Sequence, residues 1–245
     1  MLTRRRNNIS KPNPKYNYAA ALSRSIPAGP QTVKQALEDK KWRGALSVEI
    51  DAFARNQTMK LVPRQPHFNV VGCKWLFKNK FNSDDSHHRC KARLVAKGFN
   101  QQYGQDYTDT FSLVIKSTIK RLVLGVAVTR LWPIQQLDVN NAFLQGTLTE
   151  KVYMEQPPGF VDTDKPDHVR RLRKAIYGLK QAPCAWYTKL CTFLLSLGFW
   201  NSLSDTSLFV LQVGNEFINL LVYIDDILVI GSSETGITKI LHPIS

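Results

Sequence analysis

Closely spaced cysteines are missing from this sequence. The four cysteines stand at positions 73, 90, 184 and 191, and no two of them form a CxxC pair. Structural zinc sites normally use such pairs, so we interpret these cysteines as buried free thiols. Free thiols are typical of a reducing compartment, and we therefore expect an intracellular protein.

Long apolar runs are missing too. No stretch reaches the roughly 18 residues of a membrane-spanning helix. Residues 1–21 contain basic side chains but lack the apolar core of a secretory signal. We therefore expect no membrane partner. Hydrophobic residues nevertheless make up 43% of the 245-residue chain, which is enough to bury a sizeable core.

Acidic residues are few. The chain has 33 lysines and arginines against 19 acids, which gives a net charge of +14. Residues 1–30 contain six of the basic residues and no acid, and their Asn-, Pro- and Ser-rich composition predicts a disordered basic arm. The basic excess persists beyond this arm. It indicates a polyanionic partner such as nucleic acid; a merely basic, soluble surface is the alternative.

Hydrophobic spacing predicts mixed helices and strands. Apolar residues recur at helical spacing over residues 33–56. Alternation over 72–81 and 89–98 predicts a basic β-hairpin around a turn at 82–86. We also expect a helix over 117–131, with Ile119, Leu122, Val123 and Val126 on one side, and a second helix over 185–197. Strands are expected over 133–139, 206–213, 216–224 and 227–231, and residues 151–154 are expected to be extended.

The segment LLVYIDDILVIG (220–231) places two adjacent acids, Asp225 and Asp226, between two apolar, strand-forming runs. Aspartate is a poor strand residue and costly to bury as an ion, but it fits the tip of a hairpin. Adjacent carboxylates repel each other unless a cation neutralises them, and Mg²⁺ prefers such oxygen ligands. An ordinary hairpin turn is the alternative interpretation.

A third acid, Asp138 in QLDVNNAFL, ends another apolar strand. Taken alone, it would be interpreted as a helix N-cap. Together with the paired acids, it completes a set of three carboxylates from two strand ends. Such a set can hold two metal ions about 3.5–4 Å apart, one activating a 3′-hydroxyl and the other stabilising the leaving pyrophosphate.

Six segments of the sequence, in this order, resemble the reverse transcriptases of copia-type LTR retrotransposons, and the resemblance covers about residues 32–240. The segments are GCKWLFKNK (72–80), KARLVAKGFNQQYGQDY (91–107), QLDVNNAFLQG (136–146), VYMEQPPGF (152–160), AIYGLKQAPCAW (175–186) and LVYIDDILVIG (221–231). The YIDD tetrapeptide in the last of them resembles the Y-x-D-D box of these enzymes.

The resemblance implies an RNA-directed DNA polymerase with an α+β fold, in which an antiparallel palm sheet is joined to a fingers sub-domain. Helices 117–131 and 185–197 are then expected to pack on the sheet face away from the template. It implies Asp138, Asp225 and Asp226 as catalytic carboxylates and ligands of two Mg²⁺ ions, with Mn²⁺ as an alternative. The implied partners are an RNA template, a DNA primer and dNTPs.

The resemblance also implies binding residues. Arg93 and Lys97 share a face of the predicted hairpin and are expected to clamp the triphosphate. Phe143 is expected either to exclude the 2′-hydroxyl as a steric gate or to pack in the core. Tyr177 and Gly178 are expected beneath the nucleotide. Template and primer contacts are expected from Lys91, Lys180, Gln181 and Tyr223.

The domain boundaries follow from the same resemblance. Residues 31–240 are expected to form fingers and an incomplete palm, and residues 241–245 do not continue the family pattern. The thumb and ribonuclease H domains are then expected to be lost or supplied in trans. The resulting expectation is a cytoplasmic remnant with weak or no polymerase activity alone; the alternative is a non-catalytic basic nucleic-acid-binding relic.

Overall fold

The computed structural model describes residues 29–81, 87–110 and 114–241. Nearly all of the predicted arm (1–30) and tail (241–245), and the whole predicted turn (82–86), lie outside the described residues. Among those that are described, no helix is both long and apolar enough to cross a membrane.

The described residues form a mixed α+β structure. The helices are α1 (Val33–Glu38), α2 (Lys40–Arg55), α3 (Ser117–Thr129), α4 (Ala182–Ser196) and α5 (Glu234–Leu241). The strands are β1 (Met59–Val62), β2 (Val70–Val71), β3 (Cys73–Phe81), β4 (His87–Ala96), β5 (Ile134–Asp138), β6 (Thr147–Met154), β7 (Val169–Lys174), β8 (Trp200–Asn201), β9 (Leu208–Val213), β10 (Glu216–Tyr223) and β11 (Asp226–Gly231). They make sheets in the orders β1-β7-β6-β2, β5-β11-β10-β9-β8 and β3-β4.

The helix predicted over residues 33–56 is interrupted at Asp39, which ends α1 and begins α2. Asp39 has an extended backbone (φ −91°, ψ 126°). Its carboxylate accepts hydrogen bonds from the backbone N–H groups of Lys41 at 2.7 Å and Trp42 at 3.4 Å. Short acidic side chains often bond their own backbone in this way and compete with helix continuation. The prediction of one continuous helix was therefore wrong at this residue.

Strands β3 and β4 form the predicted hairpin, and their side chains alternate as expected. Trp75 is buried while Leu76 is exposed. On the return strand Ala92, Leu94 and Ala96 are buried, while Arg93 between them is only half-buried. The buried face packs against α2, where Trp42 meets Phe77 edge-on with ring centroids 5.4 Å apart.

The five-stranded sheet is covered on both faces. Leu220 and Val222 of β10 share one core cluster with Trp186 and Leu190 of α4. Alternate residues of the same strands, such as Leu221, share the other cluster with the residues of α3. Helices α3 and α4 therefore pack on opposite faces, and the prediction that both lie on one face was wrong. The nearly unbroken apolar run of the YIDD segment indicated a sheet covered on both faces, because a strand buried on both faces does not alternate between apolar and polar residues.

Helix α3 buries a different stripe from the one predicted. Ile119 and Val123 pack against the sheet as expected, but Leu122 is 63% exposed and Val126 is also exposed. Ala127 is fully buried in their place. The helix is apolar around much of its circumference, so the 3.6-residue period permits two neighbouring stripes and only the sheet selects between them.

For the sheet β1-β7-β6-β2, the sequence pattern predicted only the extended segment 151–154, which lies within β6. Strand β7 reads VRRLRK, in which Val169 and Leu172 are buried between arginines. The basic residues of β7 hid this strand from a prediction based on hydrophobic spacing. The segment that leads from β7 into the site is bonded to the residue before β6, since Ala175 N–H donates to Gly146 O at 2.8 Å.

Candidate active site

The hairpin β10–β11 presents Asp225 and Asp226 at its tip. Tyr223 and Asp226 are the last paired residues, and Ile224 and Asp225 form the turn between them. Ile224 has a positive φ of 57°, which is unfavourable for a β-branched residue. Trp186 of α4 holds this turn, because its indole Nε1 donates to Ile224 O at 2.8 Å. The strained turn fixes the direction in which Asp225 leaves the hairpin.

Strand β5 brings Asp138 to the same place. Asp138 is the direct antiparallel partner of Asp226, and directly opposed residues project from the same sheet face. The next residue, Val139, donates its N–H to Asp225 O at 2.8 Å. The backbones of the three predicted acids thus lie side by side where β5 ends and the hairpin turns. Within the described residues, no three His, Cys, Asp or Glu side chains converge closely enough to form a ready metal cage.

Two of the carboxylates have a fixed hydrogen-bond partner. Gln136 Nε2 donates to Asp226 Oδ1 at 3.0 Å, and the Tyr177 hydroxyl donates to Asp225 Oδ2 at 3.2 Å. Sequence reasoning missed the role of Gln136. A signal was present, because a residue two positions before Asp138 on a strand lies on the same face. Asp138 itself is exposed.

Tyr177 lies between the hairpin β3–β4 and the carboxylates. The Arg93 guanidinium carbon is 3.6 Å from the centroid of the Tyr177 ring, and the Phe143 ring meets it edge-on at 4.6 Å. Burial raises the pKa of Tyr177, and Asp225 acts in the same direction while Arg93 opposes it. The hydroxyl therefore stays protonated and remains a donor to Asp225.

The backbone of Gly178 lies in close contact with strand β4. Gly178 has φ +92°, and a Cβ added there would lie 2.1 Å from Ala96 O. Ala96 N–H in turn donates to Tyr177 O at 2.8 Å. Only glycine fits this conformation and this distance. The loop carrying Tyr177 is thereby locked to the hairpin, and a contact of Gly178 with nucleotide stays a prediction.

Arg93 and Lys97 have different surroundings. Strand β4 ends at Ala96, and Lys97 packs over Gly72, where an added Cβ would lie 3.1 Å from Lys97 Cδ. Arg93 lies over Tyr177 instead, and its buried Nε has no hydrogen-bond partner among the described residues. Phe143 is 7% exposed and belongs to the core cluster that contains α4.

Lys91 is crowded by other cations. Burial lowers the pKa of Lys91, and Arg93, Lys80 and Arg89 lower it further, while Asp138 raises it. The residue borders a cavity of about 700 Å³ between α2, β4 and the segment after β5. Its lining includes Lys41, Glu49, Arg89, Lys91, Asn140 and Asn141. This unbalanced positive charge beside Asp138 suits an anionic ligand.

The three other predicted template or primer residues differ in exposure. Tyr223 is exposed next to the acids. Lys180 extends to Tyr107, whose hydroxyl it reaches at 2.9 Å. Gln181 is 3% exposed, and its amide bonds to the side chain of Gln101 and the backbone of Asp106. Gln181 thus faces protein in this arrangement, and its predicted template contact stays a prediction.

Comparison with known proteins identifies the family. Residues 56–243 match the model described as "Reverse transcriptase (RNA-dependent DNA polymerase)". Over 100% of its length the chain is 59% identical to the Retrovirus-related Pol polyprotein from transposon RE2 of Arabidopsis thaliana, and 58% identical to that from transposon RE1. Over 88% of its length it is 39% identical to the Retrovirus-related Pol polyprotein from transposon TNT 1-94 of Nicotiana tabacum. The chain spans 17% of the length of each of these relatives. The copia-type resemblance is confirmed, and the chain belongs to the reverse transcriptase family.

Proposed function

We propose that this chain acts in templated DNA synthesis and joins dNTPs to a DNA primer on an RNA template. The observation that carries this proposal is the direct pairing of Asp138 with Asp226 beside the turn that holds Asp225. This arrangement places three acids at neighbouring backbone positions in a chain whose net charge is +14. A local acidic cluster in a basic protein suits metal-assisted chemistry on a polyanion.

The chemistry of the three side chains suits magnesium. All three candidate ligands are carboxylates, the ligands that Mg²⁺ prefers in proteins, and their mutual repulsion favours a bound cation. Asp138 and Asp225 are the proposed main ligands. Asp226, whose Oδ1 accepts from Gln136, is either a further ligand or a group that positions the others. Two Mg²⁺ ions, or Mn²⁺ as an alternative, would supply activation of the primer hydroxyl and stabilisation of the leaving pyrophosphate.

The incoming nucleotide is proposed to bind between the hairpin β3–β4 and Tyr177. Arg93 supplies a fork of donors for the triphosphate, and its unpartnered Nε supports this role. Lys97 supplies a second positive charge on the same segment. The packed rings of Phe143 and Tyr177 are proposed to lie next to the sugar, where Phe143 would exclude a 2′-hydroxyl. Gly178 keeps this loop close to the hairpin.

The template and primer are proposed to run over the cationic surface beside the site. The crowding of Lys91 by other cations supports a phosphate contact there, since bound phosphate would relieve the repulsion. Lys180 and the exposed Tyr223 are proposed as further template or primer contacts. Gln181 acts through its bonds to Gln101 and Asp106 and positions Lys180.

The proposed division into sub-domains follows the sheets. The five-stranded sheet with α3 and α4 corresponds to the palm, and the hairpin β3–β4 with α2 corresponds to the fingers. We place both within residues 31–240. The fixed contacts Arg93–Tyr177 and Tyr177–Asp225 would then connect fingers to palm.

A non-catalytic nucleic-acid-binding protein is the second candidate function. The cation-lined cavity beside Lys91 favours it, because that feature needs no catalytic chemistry. The two candidates make different predictions for variants of the acids. Replacing Asp138, Asp225 and Asp226 together by asparagine would abolish synthesis but would leave or strengthen binding of RNA, since it removes negative charge.

Extension of a labelled oligo-dT primer on poly-rA, with dNTPs and Mg²⁺, tests the proposal directly. Extension by the wild-type chain that is lost in Asp225→Asn, but kept in the matched control Asp167→Asn at an exposed loop acid, would support the polymerase. Absence of extension in a protein that melts cooperatively and still binds the primer–template would support the second candidate. Equal extension by Asp225→Asn would contradict the assigned site.

A further inference from the structure

The segment 98–107 holds two large aromatic side chains out to solvent. Phe99 is 78% exposed and Tyr103 is 76% exposed. Single exposed apolar residues are common on protein surfaces and need no explanation. The unusual feature of this segment, called here the aromatic loop, is that buried polar interactions hold it in place although it has little regular structure.

A network of buried side chains fixes the aromatic loop. Gln101 Nε2 donates to Gln181 Oε1 at 2.9 Å, and Gln181 Nε2 donates to Asp106 O at 2.6 Å. The carboxylate of Asp106 accepts from the Gln102 N–H at 2.8 Å and from the Asn69 side-chain amide. A satisfied buried network of this kind rigidifies the backbone that it holds. The backbone that carries the two aromatic rings is therefore held in place by this network.

A half-buried cation lies beside the aromatic loop. The rings of Tyr103 and Tyr107 meet edge-on with centroids 5.7 Å apart. Lys180 Nζ lies 4.5 Å from the centroid of the Tyr107 ring and 2.9 Å from its hydroxyl. The acid of the loop, Asp106, is buried and turned into the network. The outer face of this cluster thus offers aromatic rings with a positive charge beside them.

The aromatic loop lies one loop away from the candidate active site. A Cβ added at Gly98 would lie 2.0 Å from Gly178 O, so the two backbones are in contact. Lys180 N–H donates to Gln101 Oε1 at 2.8 Å. The same 177–181 segment carries Tyr177, which bonds to Asp225. A nucleic-acid strand that contacts the aromatic loop would therefore lie close to the carboxylates.

We propose that the aromatic loop is a stacking platform for unpaired nucleotides, on which Phe99 and Tyr103 contact bases while Lys180 contacts a phosphate. This inference rests on the proposed function, in which the single-stranded part of the template must pass near the site before it is copied. Aromatic rings stack on any base, and a neighbouring cation adds affinity for the backbone without reading sequence. The platform binds single-stranded nucleic acid irrespective of its sequence.

Binding of short oligonucleotides to the full chain tests the platform. The probes are a fluorescein-labelled oligo-rU of about 12 nucleotides, within the size that such sites cover, and a blunt RNA–DNA duplex of the same length. Tyr103→Leu and Phe99→Leu are each expected to weaken binding of oligo-rU by about 5- to 100-fold, the range seen when a stacking ring is removed. Duplex binding should change by less than about twofold, since the duplex offers no free base face.

Two control variants separate stacking from other effects. Tyr103→Phe keeps the ring and should bind oligo-rU like the wild type. Trp200→Leu removes an exposed aromatic from the outer strand β8 and should leave both affinities unchanged. Cooperative melting at the wild-type temperature would show that each variant is folded, as expected for exposed positions.

Several results would overturn the platform. Unchanged oligo-rU affinity in both leucine variants would exclude stacking, and so would an equal loss for the duplex. A change in self-association, measured by sedimentation, with unchanged oligonucleotide affinity would show that the rings contact a second copy of the chain. None of these assays needs catalysis, so a chain that fails primer extension but shows the expected binding losses would refute the polymerase proposal and keep the platform.

Discussion

The hydroxyl of Tyr177 lies 3.2 Å from Oδ2 of Asp225 and donates a hydrogen bond to it. The two residues belong to different parts of the fold, since Asp225 sits on the turn between β10 and β11 and Tyr177 on the loop that is locked against β4. The bond therefore ties the orientation of a proposed metal ligand to the position of the hairpin β3–β4. A displacement of the hairpin β3–β4 is expected to change the orientation of the Asp225 carboxylate, and the reverse.

Tyr177→Phe should weaken metal binding without unfolding the protein. The variant keeps the ring that packs against Phe143 and Arg93, but it frees the carboxylate of Asp225 to rotate. A hydrogen bond to a charged group contributes about 1.5–3 kcal/mol, so we expect Mn²⁺ affinity measured by calorimetry to fall by about 10- to 150-fold. The Mg²⁺ concentration for half-maximal primer extension should rise in parallel.

Tyr187→Phe is the matched control for that variant. It also removes a hydroxyl that donates a hydrogen bond, at 3.0 Å to Thr206 O, but on helix α4 away from the acids. Its Mn²⁺ affinity should equal that of the wild type. Equal affinities for both variants and the wild type would mean that Tyr177 does not orient Asp225.

Gly178→Ala should destabilise the chain strongly. The added methyl would lie 2.1 Å from Ala96 O at a residue with φ +92°, so the loop must move away from β4. Backbone strain of this kind costs about 1–3 kcal/mol, and the contact adds to it. The free energy of unfolding, from urea titration, should fall by at least this amount.

Gly44→Ala provides the opposite result in the same measurement. Gly44 lies inside helix α2, and an added Cβ there meets nothing within 4 Å. Replacing a helical glycine by alanine should therefore stabilise the protein by about 0.5–1 kcal/mol. A similar change in stability for both glycine variants would contradict the close contact at Gly178.

Glu49 should make the stability of the chain fall as the pH rises. Burial raises the pKa of Glu49, while the backbone N–H of Leu94 and the charges of Arg93 and Lys91 lower it in part. The folded state then holds its proton more tightly than the unfolded state, where the pKa is about 4.3. Stability from this group is present below that value and is lost as pH rises through the raised pKa.

Glu49→Gln is the variant that isolates this effect. The amide oxygen can still accept the Leu94 N–H, which lies 3.3 Å from Glu49 Oε1, but the group no longer ionises. The free energy of unfolding of the variant minus that of the wild type should increase between about pH 4 and neutral pH. A constant difference over this range would show that Glu49 ionises in the folded protein as it does in the unfolded chain.

Cys73 should be the least reactive of the four cysteines. All four are free, as predicted, but only Cys73 is buried and the other three are half-buried. Burial raises the pKa of Cys73 to about 11, with a further contribution from Glu155 that Lys97 opposes. Since the thiolate is the reactive form, iodoacetamide at pH 8 should label Cys184 and Cys191 before Cys73 in the native protein. Equal labelling rates by mass spectrometry would contradict this order.

Local pattern was enough to predict the elements that carry the chemistry. The alternation of β3 and β4, the apolar runs around Asp225 and Asp226, and the end of β5 at Asp138 are all readable within about ten residues, because strand periodicity and turn preference act over that distance. Asp39 shows the limit even of local reading. The sequence pattern is compatible with one helix through Asp39. Only the hydrogen bonds from the backbone to its carboxylate show that Asp39 separates α1 from α2.

Contacts between distant parts of the chain were decided by the tertiary structure. Gln136 and Asp226 are 90 positions apart, and Tyr177 and Asp225 are 48 apart, so no periodicity links them. The same holds for the placement of α3 and α4 on opposite sheet faces. Local sequence patterns establish that three acids stand at strand ends in a basic α+β chain, because those properties depend on neighbouring residues. The packing of the sheets and helices decided which strand lies beside which and which side chains orient the acids, because that choice depends on burying the apolar faces of the whole chain at once.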